Sequence, residues 1–182
     1  MNASKLTVGL ALAGLIACSQ NRAPDVAGQI RNSLKQGGLN SVTVSQDRDK
    51  GVVTLGGSVA QSLDKDRAAQ LAQPLAAGEV VANEIAVLPA GYRSEAKSVD
   101  SNLDKGIEAN LDAALTQSNI KGIRHSTTNG VITLKGDLAT PDMRARVEKI
   151  AAGVPNVQQV VNEIDVKNQM ATSTGSADRS KH

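Results

Sequence analysis

Few residues in this sequence of 182 amino acids have the types and spacing that chemistry requires. Cysteine occurs once, at Cys18, and the histidines are His125 and His182. These residues cannot supply the ligand set of a zinc site, so we expect no metal and no cofactor. No serine lies in a nucleophile elbow or beside a base at a recognisable spacing. We therefore expect no catalytic residues and a protein that is not an enzyme.

Cys18 is the one residue whose surroundings indicate a reaction. Lys5 precedes a mainly apolar run, 6–17, that ends in Leu-Ile-Ala directly before the cysteine. The run is shorter than the roughly 20 residues that span a bilayer, and its basic start is typical of a cleaved export signal. Leu-Ile-Ala-Cys resembles the lipobox of bacterial lipoproteins. The resemblance implies a lipoprotein signal peptide at 1–17, a lipidated thiol at Cys18 and a tether at 18–23.

Other interpretations of Cys18 stay open: an ordinary signal peptide with a chance cysteine, or a buried free thiol. A lone cysteine cannot form an internal disulfide, so the folded part must be stabilised by burial alone. Ser19 follows the cysteine. In Gram-negative lipoproteins an aspartate there favours retention in the inner membrane. For a Gram-negative host, Ser19 therefore implies a lipid anchor in the outer membrane, on its periplasmic face.

Composition limits the possible partners. The formal net charge is +2, phenylalanine and tryptophan are absent, and Tyr92 is the only aromatic residue. Nucleic-acid binding depends on clustered Lys and Arg, and single-strand binding also needs rings on which bases stack. We therefore expect no nucleic-acid partner. The core must be built from Val, Ile, Leu and Ala.

The chain repeats one pattern twice. Gly-Val-Val-Thr-Leu-Gly-Gly-Ser-Val begins at Gly51, and Gly-Val-Ile-Thr-Leu-Lys-Gly-Asp-Leu begins at Gly130. Val-Ala-Asn-Glu-Ile-Ala-Val at 81–87 matches Val-Val-Asn-Glu-Ile-Asp-Val at 160–166 in the same alignment. The sequence therefore contains a tandem duplication.

Each copy is predicted to fold as helix, strand, strand, helix, strand. In the first copy Pro24 suits an opening helical turn, and Gly37-Gly38 ends the helix. In the second copy apolar residues recur at every fourth position from Val99 to Leu115, which predicts a longer helix.

Turn residues mark the remaining elements. Asn129-Gly130 is a strong hairpin signal between the first two strands of the second copy. Thr140-Pro141 begins the next helix. In the first copy Pro74 should weaken the last turn of the equivalent helix.

The fold class is therefore α+β, with two tandem αββαβ modules. A helix between two strands usually makes them parallel with a right-handed crossover, so each module should be a small mixed three-stranded sheet with two helices on one face. The modules are assigned to 24–88 and 98–167, with a polar linker at 89–97. Residues 168–182 lack apolar periodicity and are predicted to be disordered.

The αββαβ order, the phrase Gly-Val-Val/Ile-Thr-Leu-x-Gly and the phrase Val-x-Asn-Glu-Ile-x-Val together resemble the BON domain. With the lipobox, the chain is similar to the dual BON-domain outer-membrane lipoproteins, and less closely to the soluble hyperosmotically inducible periplasmic protein. The resemblance implies association with envelope membranes, in some members through anionic phospholipid, and a role in envelope integrity under osmotic and other stress. It implies no catalysis.

The same resemblance implies that the first helix of the second copy, Asn102 to Gln117, contacts lipid. This helix carries Asp104, Glu108 and Asp112 against one lysine. A modest basic face on the last helix is a second candidate for headgroups, with a solvated, charge-balanced face as the alternative. The possible membrane or partner surface comprises Leu103, Lys105, Ile107, Arg144, Arg146 and Lys149.

Recurring glycines and asparagines have structural interpretations. Gly56, Gly57 and Gly136 lie inside strand phrases without the context of a phosphate-binding loop, so a bulge or close helix packing is expected. Asn83 and Asn162 lie on the last strands, where a buried amide paired with the backbone is expected rather than a binding contact.

Two functions follow from these patterns. The first is a lipid-anchored envelope protein that associates with membrane phospholipid and supports outer-membrane integrity under stress. The second is a periplasmic scaffold that binds outer-membrane assembly or cell-wall proteins.

Overall fold

The computed structural model describes residues 22–166 and 172–175. The predicted signal peptide, residues 18–21 of the tether, and the residue His182 lie outside this part of the chain, and Cys18 and Ser19 are therefore not described.

The element order is the predicted one, repeated in two modules. The first module consists of α1 (Ala27–Gln36), β1 (Val42–Asp47), β2 (Val52–Val59), α2 (Ser62–Ala72), a 3-10 turn (Gln73–Leu75), β3 (Val80–Asn83) and β4 (Ala86–Val87). The second consists of α3 (Arg93–Gln117), β5 (Arg124–Thr128), β6 (Val131–Asp137), α4 (Pro141–Ala152), β7 (Gln159–Asp165) and β8 (Thr172–Gly175).

The sheets are mixed, as predicted. β1 pairs antiparallel with β2, and β2 pairs parallel with β3 and β4, which form one interrupted edge strand. In the second module β5 pairs antiparallel with β6, and β6 pairs parallel with β7. The predicted α+β fold with two tandem modules is confirmed.

The second sheet has a fourth strand that the sequence pattern does not predict. β8 pairs antiparallel with β7, from Gln159 opposite Gly175 to Asn162 opposite Thr172. The prediction of disorder is therefore wrong for residues 172–175. The reason is that an edge strand offers unpaired backbone groups to any neighbouring segment that can become extended.

The linker is shorter than predicted. α3 begins at Arg93, so residues 93–97 are helical and only Pro89 to Tyr92 precede the helix. Arg, Glu, Ala and Lys in this stretch favour helix, and Glu95 in the first turn interacts favourably with the helix dipole.

Both helices of each module pack on one face of its sheet. In the first module Ile30 of α1 and Ala68 of α2 lie in one buried cluster with Val53 and Leu55 of β2. In the second, the equivalent cluster joins residues of α3 and α4 to the inner face of β6 and β7: Ile107, Leu111, Val147, Ile132 and Leu134. α2 ends at Ala72 and continues as a 3-10 turn through Pro74, as expected for a proline without an amide hydrogen.

The opposite faces of the two sheets pack on each other. Val52 and Ala82 of the first module lie in one buried cluster with Val131 and Val161 of the second. Val52 and Val131 occupy equivalent positions in the repeat, as do Ala82 and Val161. The two modules therefore bury equivalent small side chains against each other.

Gly57 and Gly136 are required by close approach of two backbone segments. A Cβ atom at Gly57 would lie 2.2 Å from the Ser41 carbonyl oxygen, and φ there is +89°. A Cβ atom at Gly136 would lie 2.7 Å from the Gly122 carbonyl oxygen, with φ of +147°. The close approach is made by the backbone just before β1 and β5, so the predicted close packing against a helix is wrong for Gly57 and Gly136.

Candidate functional site

The junction between the modules contains a concentration of polar contacts, and one glutamine is central to it. The Gln159 side chain donates from Nε2 to the Val81 carbonyl oxygen at 2.8 Å and accepts from the Asn83 amide at Oε1 at 3.1 Å. The backbone of an added parallel strand would bind the same carbonyl oxygen and the same amide at the edge of β3. Gln159 therefore closes an edge that would otherwise expose unpaired backbone groups.

A buried lysine lies beside this contact. The Nζ atom of Lys65 donates to Gln158 Oε1 at 3.1 Å. It borders a cavity of about 120 Å³ that Asp100, Leu103 and Asp104 also line. Burial lowers the pKa of Lys65, opposed by the nearby carboxylates of Asp100 and other acidic residues.

The acidic residues of α3 bind the second hairpin. Asp104 accepts the amides of Asn129 and Gly130, each at 2.9 Å, one on each carboxylate oxygen. Glu108 accepts the Thr127 amide at 2.9 Å. Asn129 and Gly130 have φ values of +49° and +79°, the backbone of the predicted hairpin turn. These carboxylates therefore have a structural role that a count of charges does not show.

The next acidic residue along α3 contacts the one described histidine. Asp112 Oδ1 lies 2.9 Å from His125 Nε2. A single imidazole and carboxylate at a strand end form an ion pair only when the histidine is protonated. In residues 22–166, no group of three or more His, Cys, Asp or Glu side chains is arranged to hold a metal ion.

A groove of about 500 Å³ runs between α3 and the end of the first sheet. Its walls are the backbone and small side chains of β2 and β4 on one side and the polar face of α3 on the other. The lining residues include Ser58, Ala86, Leu88, Lys97, Ser101 and Lys105. The groove is open and mixed in charge, and Asp104 and Glu108, which also line it, accept the hairpin amides.

Glu84 and Glu163, at equivalent positions of the repeat, lie near enough at the junction for their charges to interact. Burial raises the pKa of Glu84, and the negative charge of Glu163 raises it further, while Lys135 opposes the shift. Lys135 Nζ lies 3.3 Å from Glu163 Oε2. The packing of the modules therefore brings two like charges together around one lysine.

The recurring asparagines bind backbone, as expected. Asn83 Nδ2 donates to the Lys65 carbonyl oxygen at 3.0 Å, and Asn162 Nδ2 donates to the Arg144 carbonyl oxygen at 3.3 Å. Lys65 and Arg144 are themselves equivalent in the repeat. Each asparagine thus ties the last strand of a module to its second helix.

The structure divides the predicted surface residues into two groups. Ile107 is 1% exposed in the core, and Arg144 is 3% exposed and donates to the Asn162 carbonyl oxygen at 2.9 Å. Their assignment to a surface is wrong, because apolar packing holds Ile107 and the last strand holds Arg144. The exposed members are Leu103, Lys105, Arg146 and Lys149.

Exposed apolar side chains concentrate around the beginning of α3. Tyr92 is 69% exposed, Val99 64% and Leu103 39%. The sequence pattern places Tyr92 in the linker and Val99 in the apolar stripe of the helix, so it does not predict this group. The first turns of α3 precede the part of the helix that packs in the core, so the apolar side chains there remain exposed. In the part of the chain that is described, no helix has the length and apolar character needed to cross a bilayer.

Seven chains of known structure match this one, and two structures of one protein illustrate how distant the likeness is. The C-terminal domain of CdsD, a structural protein of the type III secretion system of Chlamydia trachomatis, is 16% identical. That match covers 77% of this chain and 96% of that one, with a TM-score of 0.31. A second CdsD structure is 15% identical, covers 78% of this chain and 91% of that one, and has a TM-score of 0.35. At these scores the likeness carries no argument about function.

Comparison with protein families is decisive where the other comparisons are not. No curated protein matches the chain. The BON domain matches it twice, at residues 23–89 and 102–168. These ranges cover most of the sequence: the first contains the first module, and the second runs from within α3 to just beyond β7. The chain therefore belongs to the BON-domain family and carries two BON domains in tandem.

Proposed function

We propose that this chain is a lipid-anchored, non-enzymatic envelope protein of the outer membrane that associates with phospholipid and supports membrane integrity under stress. The carrying observation is that two BON domains follow a Leu-Ile-Ala-Cys sequence ending at Cys18. BON domains are known from envelope-associated proteins. Acylation with more than one chain would hold both modules stably at a bilayer.

The beginning of α3 is the surface that best fits phospholipid. Val99 and Leu103 lie one helical turn apart, and Tyr92 directly precedes the helix. Apolar side chains with a neighbouring tyrosine suit the boundary between headgroups and acyl chains. Lys97 and Lys105 are exposed on the same turns, about 160° around the helix from Val99 and Leu103, so they would attract anionic headgroups from outside the apolar face.

The acidic residues of α3 oppose this association less than their number suggests. Asp104 and Glu108 accept backbone amides of the hairpin, so their carboxylates are turned towards protein. The contact surface at the beginning of the helix is therefore less acidic than the helix as a whole.

Vesicle flotation tests direct lipid association. The chain from residue 18 onward with Cys18→Ser should float with phosphatidylglycerol vesicles and much less with phosphatidylcholine vesicles. The double variant Val99→Asp, Leu103→Asp should lower the floated fraction by about fivefold or more, because charge is expensive to insert at the acyl boundary. Leu63→Asp is the matched control, since Leu63 is 70% exposed on a different helix, α2. Absence of flotation with phosphatidylglycerol, or an equal loss in the control, would contradict direct lipid association.

Fractionation of cells tests the anchor separately. We expect the wild-type protein in the outer-membrane fraction and the Cys18→Ala variant in the soluble periplasmic fraction. An unmodified mature N-terminus in mass spectrometry would rule out lipidation.

A scaffold for envelope assembly proteins is the second candidate function. The observation that favours it is the strand pairing at the edge of β7, where a segment outside the BON match occupies the sheet.

A further inference from the structure

The outer edges of β3 and β7 are equivalent in the two sheets. The hydrogen bonds of β3 show which backbone groups at this edge face away from the sheet. The amides of Val80 and Glu84 donate to carbonyl oxygens of the neighbouring segment at β2, so the residues between them alternate in direction. Val81 and Asn83 therefore turn their backbone groups away from β2. Gln159 binds these two residues and closes the edge.

In the second sheet the equivalent residues are Val160 and Asn162. They lie opposite Thr174 and Thr172 of β8. In an antiparallel pair, residues whose backbone groups face each other exchange both hydrogen bonds, while the pair between them exchanges none. Ser173, opposite Val161, is the residue between them. The register therefore assigns the main-chain contacts of β8 to its two threonines.

β8 is an addition to a domain that is already complete. The BON match ends at residue 168, before β8 begins. Among the described residues of the first module, no strand is added at the corresponding edge of β3. The β8 sequence Thr-Ser-Thr-Gly contains no large apolar residue. Since little apolar area can be buried by these residue types, main-chain hydrogen bonds must provide most of what holds β8 in place.

We propose that the outer edge of β7 is a strand-addition site for an extended segment of a partner protein, and that β8 occupies it within the same chain. Main-chain hydrogen bonds to Val160 and Asn162 would supply the affinity, as in other cases of β-strand addition. The occupant would run antiparallel to β7 and carry small hydroxyl side chains, since the segment seated there is Thr-Ser-Thr-Gly. This inference goes beyond phospholipid association and does not depend on it.

The short connection to β8 favours occupation of the site by β8 over a partner segment. Only residues 166–171 separate β7 from β8, so the effective concentration of β8 at its own edge is high. A partner segment binds only the fraction of molecules in which β8 has left, which weakens its apparent affinity in proportion.

Peptide binding to two forms of the protein tests the site. The probe is a fluorescent synthetic peptide with the sequence of residues 169–178, and both forms carry Cys18→Ser. The form ending at Asn168 should bind the peptide about tenfold more tightly than the intact chain does. Methylation of the peptide nitrogen at Thr172 or Thr174 should weaken binding about fivefold to tenfold, whereas methylation at Ser173 should leave it nearly unchanged.

A substitution in the intact chain provides a second measurement that does not need truncation. Thr174→Pro removes an amide that faces Val160, so the intact variant should bind the peptide more tightly than wild type. Circular dichroism checks that both variants remain folded. Absence of peptide binding to every folded form, or binding that is insensitive to the position of methylation, would overturn the proposal. Dimers of the intact chain that exchange residues 172–175 would make a second copy the occupant and would overturn the assignment to a partner protein.

Discussion

The last strands of the two modules have the same sequence pattern, yet their outer edges are closed in different ways. At β3 one glutamine side chain binds Val81 and Asn83. At β7 a whole strand, β8, lies against the equivalent residues. The position of Gln159 in the first copy is Val80, which cannot make the same contact. The two copies therefore share one fold but use this edge differently. The edge of β3 contacts the other module, and the edge of β7 contacts the C-terminal segment.

The first-strand edges differ in a similar way. In the first module Arg31 of α1 donates to the Val44 carbonyl oxygen at 3.4 Å. In the second, the residues at the equivalent positions are Asp112 of α3 and His125 of β5, and Asp112 Oδ1 lies 2.9 Å from His125 Nε2. Helix and strand are thus joined by a cation in one copy and by a carboxylate in the other. The shared fold fixes where a polar contact is needed, and each copy meets the need with different chemistry.

The glycines common to both modules provide the largest expected effect. Gly57→Ala should destabilise the protein by about 2–4 kcal/mol, because the new Cβ atom would meet the Ser41 carbonyl oxygen at a positive φ. Gly136→Ala should cost less, since its Cβ atom would be farther from the opposing carbonyl oxygen. Urea denaturation followed by circular dichroism measures both. Gly28→Ala is the control, because Gly28 lies in α1 with open space around it and should become slightly more stable.

If Gly57→Ala and Gly136→Ala destabilised the protein no more than Gly28→Ala does, the close approach of the backbones would not be what constrains these two positions. The presence of glycine at this position in both modules would then need another explanation.

The contact that distinguishes the two edges should have an intermediate effect. Gln159→Leu leaves the Val81 carbonyl and the Asn83 amide without partners, at a cost of about 1–3 kcal/mol. Gln159→Glu should lie between leucine and wild type, because a carboxylate can accept from Asn83 but cannot donate to Val81. Hydrogen exchange of the Asn83 amide should accelerate in the leucine variant. Unchanged exchange there would show that Gln159 does not close the edge of β3.

The repeated parts of the fold could be predicted from sequence, because both copies have the same periodicity. The glycine phrase, the Asn129-Gly130 hairpin and the helix stripes are local signals that depend on backbone geometry. What could not be predicted depends on contacts between distant residues. Gln159 departs from the repeat, but nothing local indicates that its amide binds β3. Thr-Ser-Thr-Gly becomes a strand only because an edge is available.

The prediction of the membrane or partner surface was wrong at Arg144 for the same reason, because burial there depends on contacts between distant residues. Counting charges placed Arg144 on a basic face and gave α3 a net negative charge. The structure buries Arg144 against Asn162 and occupies Asp104 and Glu108 with backbone amides. The recurrence of a cation at positions 65 and 144, in both copies, was a signal of a structural role that charge counting overlooked.

The smallest expected effect concerns the glutamates that the packing of the modules brings together. Burial and the charge of Glu163 raise the pKa of Glu84, so the folded state disfavours the Glu84 carboxylate. A raised pKa contributes stability below the unfolded value, and this contribution is lost as pH increases through the folded value. Glu84→Gln should therefore raise the melting temperature by about 1–3 °C at pH 7 and leave it nearly unchanged below about pH 4.

Thermal melts at both pH values measure this difference. Glu95→Gln is the control, because hydrogen bonds to its own amide and to Ser94 lower the pKa of Glu95, which is fully exposed in the first turn of α3. A variant Glu84→Gln that melts lower than wild type at pH 7 would show that Lys135 stabilises both glutamates together. The charges of Glu84 and Glu163, together with Lys135, would then stabilise the packing of the modules instead of opposing it.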